Sequence, residues 1–86
     1  MDKRIDLTVN GVELGFDVTL DAFNVYANEM QPNNKVNPSH NFLMRTVNAE
    51  CKDELKKLLE LPGIAIDVAA AVISNYKPAV TITVGK

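Results

Sequence analysis

The sequence predicts an α+β fold of two layers, in which an antiparallel β-hairpin and a C-terminal strand pack against three to four helices in the order ββαααβ. Three patterns lead to this prediction. Residues 4–18 alternate apolar and polar side chains on both sides of an Asn-Gly pair, residues 20–76 repeat apolar residues at helical spacing, and residues 79–84 alternate again. We expect residues 1–86 to form a single domain, since the chain is too short for two.

The β-hairpin is predicted from its period-two alternation and from the turn between its strands. The side chains expected on its buried face are Ile5, Leu7, Val9, Val12, Leu14, Phe16 and Val18. Asn10 and Gly11 suit the positive φ angles of a two-residue type I′ turn. Gly15 indicates a bulge or a close approach to the backbone. The polar residues of the strands predict an outer face open to solvent.

The first two helices are predicted from capping residues and apolar spacing. Thr19 is a suitable N-cap for a helix over residues 20–30. Residues 31–38 contain two prolines and several asparagines and are typical of a loop. Ser39 can cap a short helix over residues 40–47. The residues of that helix expected to face inward are Phe42, Leu43 and Val47.

Two further helices and a last strand follow. Asn48 is a candidate N-cap for a helix over residues 49–61, which carries the apolar stripe Cys51, Leu55, Leu58 and Leu59. Residues 64–76 are so apolar that the predicted helix needs cover on more than one side, from the sheet and another helix or from a partner protein. Residues 79–84 are expected to join the sheet beside the first strand.

Composition limits the classes of protein that the sequence could encode. The net charge is −2 and the pI about 5.2, whereas nucleic-acid-binding domains usually have a basic face. No apolar run reaches the roughly 20 residues that a membrane span requires, and residues 1–6 lack the apolar core of a signal peptide. A single cysteine cannot form an internal disulfide. We therefore expect a cytoplasmic protein.

The residue types that carry out catalysis or bind metals do not form a recognisable site. His40 is the sole histidine, and a metal site needs three or four ligands. Cys51 would lie near a helix start, where a thiolate is favoured, yet it falls on the apolar stripe and is better explained as a small core residue. No glycine-rich phosphate loop or nucleophile elbow occurs. We expect a protein without enzymatic activity, cofactor or metal.

Several segments together resemble the small tail assembly chaperones of tailed bacteriophages and prophages. They are Val9-Asn10-Gly11 in the hairpin, Val18-Thr19-Leu20-Asp21-Ala22-Phe23-Asn24-Val25-Tyr26, Pro38-Ser39-His40-Asn41-Phe42-Leu43-Met44-Arg45, Pro62-Gly63 before an alanine-rich helix, and Tyr76-Lys77-Pro78. The resemblance implies a non-enzymatic protein that binds the long tape measure protein in the bacterial host cytoplasm. It also implies that the protein helps to recruit tail tube subunits and is absent from the mature virion.

A chaperone of this kind needs apolar surface that is covered only part of the time. We therefore hypothesise that part of the short helix and part of the apolar helix form the surface that binds the partner. The residues assigned to this surface are Phe42, Leu43, Met44, Val47, Ile66, Ala70 and Ile73. Methionine suits a surface that adapts to different segments of its partner.

Other functions stay open from the sequence. Helices 40–47 and 49–61 could form the helix-turn-helix pair of a small DNA-binding transcriptional regulator, although the second helix alternates acidic and basic residues. A structural tail subunit is another alternative, and an enzyme is the least favoured. A homo-oligomer could also form through the C-terminal strand or the apolar helix.

Overall fold

The computed structural model describes residues 2–85 and contains a two-stranded antiparallel sheet and four α-helices. The strands are β1 (Lys3–Val9) and β2 (Val12–Val18). The helices are α1 (Leu20–Glu29), α2 (Val36–Thr46), α3 (Lys52–Leu58) and α4 (Ile64–Tyr76), with a 3₁₀ turn at Ala49–Cys51 before α3. The α+β prediction is confirmed.

The hairpin has the turn that its sequence predicts. Asn10 and Gly11 have φ angles of 53° and 79°, as a type I′ turn requires. The register pairs Val9 with Val12 and continues without a bulge to Lys3 and Val18. All apolar residues of both strands therefore face the same side, where the helices pack.

Helix α2 lies at the centre of the helical layer and contacts α1, α4 and β2. The core around it consists of side chains that are less than a tenth exposed: Ile5, Leu14, Phe16, Val18, Ala22, Phe42, Leu43, Leu55, Leu58, Val68, Ala69, Val72 and Tyr76. Aromatic contacts join α1 to this core, since the ring of Tyr26 lies 5.1 Å from that of Phe42.

The predicted C-terminal strand is not present in the described structure. Residues 78–85 form neither strand nor helix, and the sheet contains only β1 and β2 within the described residues. Helix α4 ends near the beginning of β1, where the Nζ of Lys3 donates to the carbonyl oxygen of Asn75 at 2.8 Å. Lys77 then adopts an extended conformation, with φ −69° and ψ 131°. The alternating segment therefore continues past the domain and does not return along β1, although its local propensity favours a strand.

The helix predicted over residues 40–47 begins earlier, at Val36. Pro38 lies in its first turn, where the missing N–H has no helical partner in any case. Ser39 is consequently inside the helix and fully buried, and its predicted role as N-cap is wrong.

The helix predicted over residues 49–61 is interrupted and shorter. It starts as the 3₁₀ turn and ends at Leu58. Asn48 precedes the turn, but its side chain makes no capping hydrogen bond to it, so its predicted role as a capping side chain is wrong. The reason is that this side chain is placed next to the sheet, as described below.

Candidate functional site

The residues that the sequence assigns to a partner-binding surface differ widely in exposure. Phe42 and Leu43 are both 0% exposed and lie in the core. Met44 and Val47 are half-buried, and Val47 forms a single bridge to Phe16 on the edge of β2 that faces away from β1. In this conformation the α2 part of the predicted surface is therefore packed inside the molecule or against the sheet.

The α4 part of the predicted surface is accessible. Ala70 is exposed, and Ile66 and Ile73 are half-buried. Steps of four and three residues place the three side chains on one flank of the helix. The opposite flank faces β1, where Asp67 and Ala71 line a cleft with the strand. We call Ile66, Ala70 and Ile73 the α4 flank.

The most exposed of the large apolar side chains lie in the C-terminal segment, which the sequence suggested only as a strand of the sheet or a contact between copies of the chain. Val80, Ile82 and Val84 are 69%, 88% and 98% exposed, respectively. An apolar cleft of about 300 Å³ lies where this segment leaves the helical layer. Its lining residues are Leu20, Phe23, Tyr76, Lys77 and Pro78. The alternating pattern of residues 79–84 was the available signal, but it was interpreted as part of the sheet.

A polar cluster lies on the solvent-facing side of the sheet, opposite the side on which the helices pack. Arg4 Nε donates to Asp6 at 3.0 Å, and this interaction, together with the negative charge of Asp6, raises the pKa of Arg4 further above its ordinary value. In the orientation that satisfies its amide, the oxygen of Asn48 accepts from Nη1 and Nη2 of Arg4 at 2.9 Å, and its NH₂ group donates to the Asp17 carboxylate. The backbone N–H of Asn48 also donates to the carbonyl oxygen of Gly15 at 2.9 Å. Through Asn48, these hydrogen bonds hold the connection between α2 and α3 against the sheet.

Gly15 makes this arrangement possible. A Cβ at this position would lie 2.5 Å from the guanidinium group of Arg4 and from the amide group of Asn48. Gly15 therefore permits a close approach, as the sequence suggested. The groups that approach it are the side chains of Arg4 and Asn48, and the strand has no bulge at this position.

Of the two candidate reactive residues, Cys51 lies beside the polar cluster, in a cleft that Arg4 and Gly15 also line. His40 is exposed on α2, and Cys51 is half-buried with its Sγ 3.9 Å from the carbonyl oxygen of Glu13. Within residues 2–85, no three side chains among His, Cys, Asp and Glu lie close enough together to hold a metal ion. None of the helices described is long and apolar enough to cross a membrane.

Comparison with known proteins gives two matches. A family model described as phage tail assembly chaperone matches residues 5–86. A protein of Haemophilus phage HP1 (strain HP1c1), named an uncharacterized 11.3 kDa protein in the lys 3′ region, is 32% identical over 84 residues. That alignment covers 98% of this chain and 82% of the relative. No solved structure matches the chain.

Proposed function

Because this chain belongs to the phage tail assembly chaperones, we propose that it binds the tape measure protein of its phage and helps to recruit tail tube subunits around it. The family match over residues 5–86 is the observation that carries this proposal. The work would take place in the bacterial host cytoplasm, before the tail is complete, and the protein would be absent from the mature virion. No catalytic residue is needed for this role.

The α4 flank is the part of the hypothesised binding surface that a partner can reach in the folded domain. Ile66 lies outside the hydrophobic core cluster, and Ala70 is exposed, so a partner can cover both without unfolding the helix. A small residue such as Ala70 lets the backbone of another helix come close. We propose that an amphipathic helix of the tape measure protein packs here, with its apolar face on Ile66, Ala70 and Ile73.

Phe42, Leu43, Met44 and Val47 would act in a different way from the α4 flank. Phe42 and Leu43 support α4 from beneath, since α2 packs against α4 and both side chains are fully buried. They could meet a partner directly only if α2 moved away from the core. Charged substitutions at Phe42 would unfold the domain and cannot report on binding.

Co-expression of the tape measure protein with variants of this chain tests whether the α4 flank binds it. Ala70→Asp places a charge on the α4 flank, and we expect it to lower the soluble fraction of the tape measure protein severalfold, because a buried carboxylate without a partner opposes association. Ala27→Asp introduces the same change at an exposed position of α1 and serves as the control. Both variants should give the circular dichroism spectrum of the wild type.

The proposal of this surface fails if Ala70→Asp and Ala27→Asp keep the tape measure protein equally soluble. The wider proposal fails if the wild-type chain neither co-purifies with the tape measure protein nor alters its solubility. Mass spectrometry of purified phage particles tests the absence from the virion, and detection at the abundance of a tail component would indicate a structural subunit.

A further inference from the structure

We propose that residues 79–84 of one copy of this chain add as a third strand to the outer edge of β1 in a second copy, and that the exchange is reciprocal. The chain would then form a dimer through its C-terminal segments. This inference concerns the association of the chain with itself and does not depend on the identity of a chaperone client.

The outer edge of β1 has backbone groups ready to accept a strand. Val9 and Val12 flank the two-residue turn and form a hydrogen-bonded pair. Every second residue of β1, counted from Val9 to Lys3, therefore directs its N–H and C=O groups toward β2. Arg4, Asp6 and Thr8 direct theirs away from β2. Within residues 2–85, none of the backbone hydrogen bonds outside helices and the hairpin reaches these groups.

The other edge of the sheet confirms this alternation and is already covered. On β2, Glu13, Gly15 and Asp17 direct their backbone groups away from β1 by the same rule. The carbonyl oxygen of Gly15 does accept from the N–H of Asn48, and Phe16 forms a bridge to Val47. β1 is therefore the edge at which a new strand can be added.

Residues 79–84 have the composition and length of the missing strand. They alternate β-branched apolar residues with threonine, which is typical of an edge strand with one buried face. Their extended length of roughly 20 Å matches that of β1. Exposed apolar side chains are unfavourable in water, and those of Ile82 and Val84 are almost wholly exposed.

The side chains of the segment also match the two sides of the β1 edge. On the helix side, Leu7 and Val9 meet Ile64, Val68 and Ala71 around an open cleft of about 320 Å³, which Thr8, Asn10 and Asp67 also line. Val80, Ile82 and Val84 would enter this cleft and extend the apolar layer of the sheet. On the solvent side, Thr81 and Thr83 would lie beside Asp6 and Thr8, whose side chains are polar and exposed.

The geometry of α4 favours a second copy as the partner. α4 runs antiparallel to β1, from the cleft at Val9 to the contact of Lys3 with Asn75. To pair with β1 of its own chain, the segment would have to reverse at Lys77-Pro78 and run parallel to β1. In the structure it continues away instead, and the radius of gyration of 13.7 Å exceeds the roughly 12 Å expected for a compact chain of this length.

Light scattering of the full chain over a hundredfold range of concentration tests the dimer. We expect the wild type to change from monomer to dimer within this range. Ile82→Asp should raise the dimer dissociation constant at least tenfold, because it places a carboxylate against Leu7 and Val68 in the cleft between β1 and α4, which Asp67 also lines. Thr83→Asp introduces the same residue on the solvent side and should change the constant less than threefold. A wild type that stays monomeric throughout, or equal effects of the two variants, would overturn the proposal.

Cysteine cross-linking then identifies the strand that is paired. In a Cys51→Ala background, Asp6→Cys and Thr81→Cys place thiols at the middle of β1 and of the segment, so they come together in either strand direction. We expect oxidation to give a covalent dimer on a non-reducing gel. An internal disulfide in a monomer would show that the segment pairs with its own chain, and no disulfide at all would show that it does not reach β1. Either result contradicts the exchange.

Discussion

Two buried hydroxyl groups lie on the same side of α2 and differ in their hydrogen bonds. Thr46 Oγ1 donates to the carbonyl oxygen of Phe42 at 2.9 Å. Ser39 Oγ is fully buried, and within the described residues it has no hydrogen-bond partner. A buried hydroxyl without a partner costs about 1–3 kcal/mol, whereas a satisfied one contributes about 1 kcal/mol. The two residues should therefore respond oppositely when the hydroxyl is removed.

We predict that Ser39→Ala raises the free energy of unfolding by about 1 kcal/mol and that Thr46→Val lowers it by about the same amount. Urea denaturation followed by circular dichroism measures both changes. Loss of stability in Ser39→Ala would mean that the Ser39 hydroxyl makes a favourable interaction in solution.

Gly15 is the residue whose substitution should disturb the polar cluster most directly. Gly15→Ala would push aside the ends of two flexible side chains, those of Arg4 and Asn48, so we expect a loss of about 1 kcal/mol, at the low end of overpacking costs. In an Asn48→Ala background the loss should be smaller, since one of the two obstructing groups is gone. A double-mutant cycle measures this coupling, and strictly additive effects would contradict the contact.

At the scale of elements, the sequence predicts best where the signal is local. The turn at Asn10-Gly11 and the cap of α1 depend on neighbouring residues alone, and Thr19 Oγ1 accepts from the N–H of Ala22 at 3.1 Å as expected. The start of α2 was misjudged because Pro38 is compatible both with a loop and with a first helical turn. The function of Asn48 depends on Arg4 and Asp17, which are distant in sequence, so local capping rules could not reveal it.

The helices α2 and α4 show the same limit for the candidate site. The spacing of apolar residues identifies the apolar face of each helix, but it does not show which neighbouring element covers that face. Phe42 and Ile66 were both assigned to the partner-binding surface, yet the first is fully buried and the second lies outside the core cluster. Only the packing of α2 between α1 and α4 separates them.

This difference leads to a prediction at the element scale. Phe42→Ala should lower the free energy of unfolding by about 3–5 kcal/mol, because it leaves a cavity at the centre of the helical layer. For a chain of this size the total is roughly 4–13 kcal/mol, so the variant should be largely unfolded at the lower end of that range. Ile66→Ala should cost less than about 1 kcal/mol. Chemical denaturation of both variants distinguishes them, and similar losses would place Ile66 in the core.

At the scale of the whole molecule, the fold consists of a packed part and an exposed segment with opposite properties. α2 touches both neighbouring helices and the sheet, whereas residues 79–84 contribute exposed apolar side chains and no backbone pairing within the described structure. Local opening should be rarest where buried contacts are most numerous. The predicted C-terminal strand is therefore wrong for the described structure, because local propensity does not provide the edge with which a strand must pair.

Hydrogen exchange of the backbone amides should display this contrast. We predict that amides of α2 exchange most slowly, at rates set by global unfolding, and that those of residues 79–84 exchange fastest in dilute solution. Strand exchange between copies would bury the amides of residues 79–84 as the protein concentration rises, while the exchange of the α2 amides would be unaffected. Exchange of residues 79–84 should therefore slow with increasing protein concentration in the wild type and in Thr83→Asp, but not in Ile82→Asp. Concentration-independent exchange of this segment in the wild type would show that it remains free.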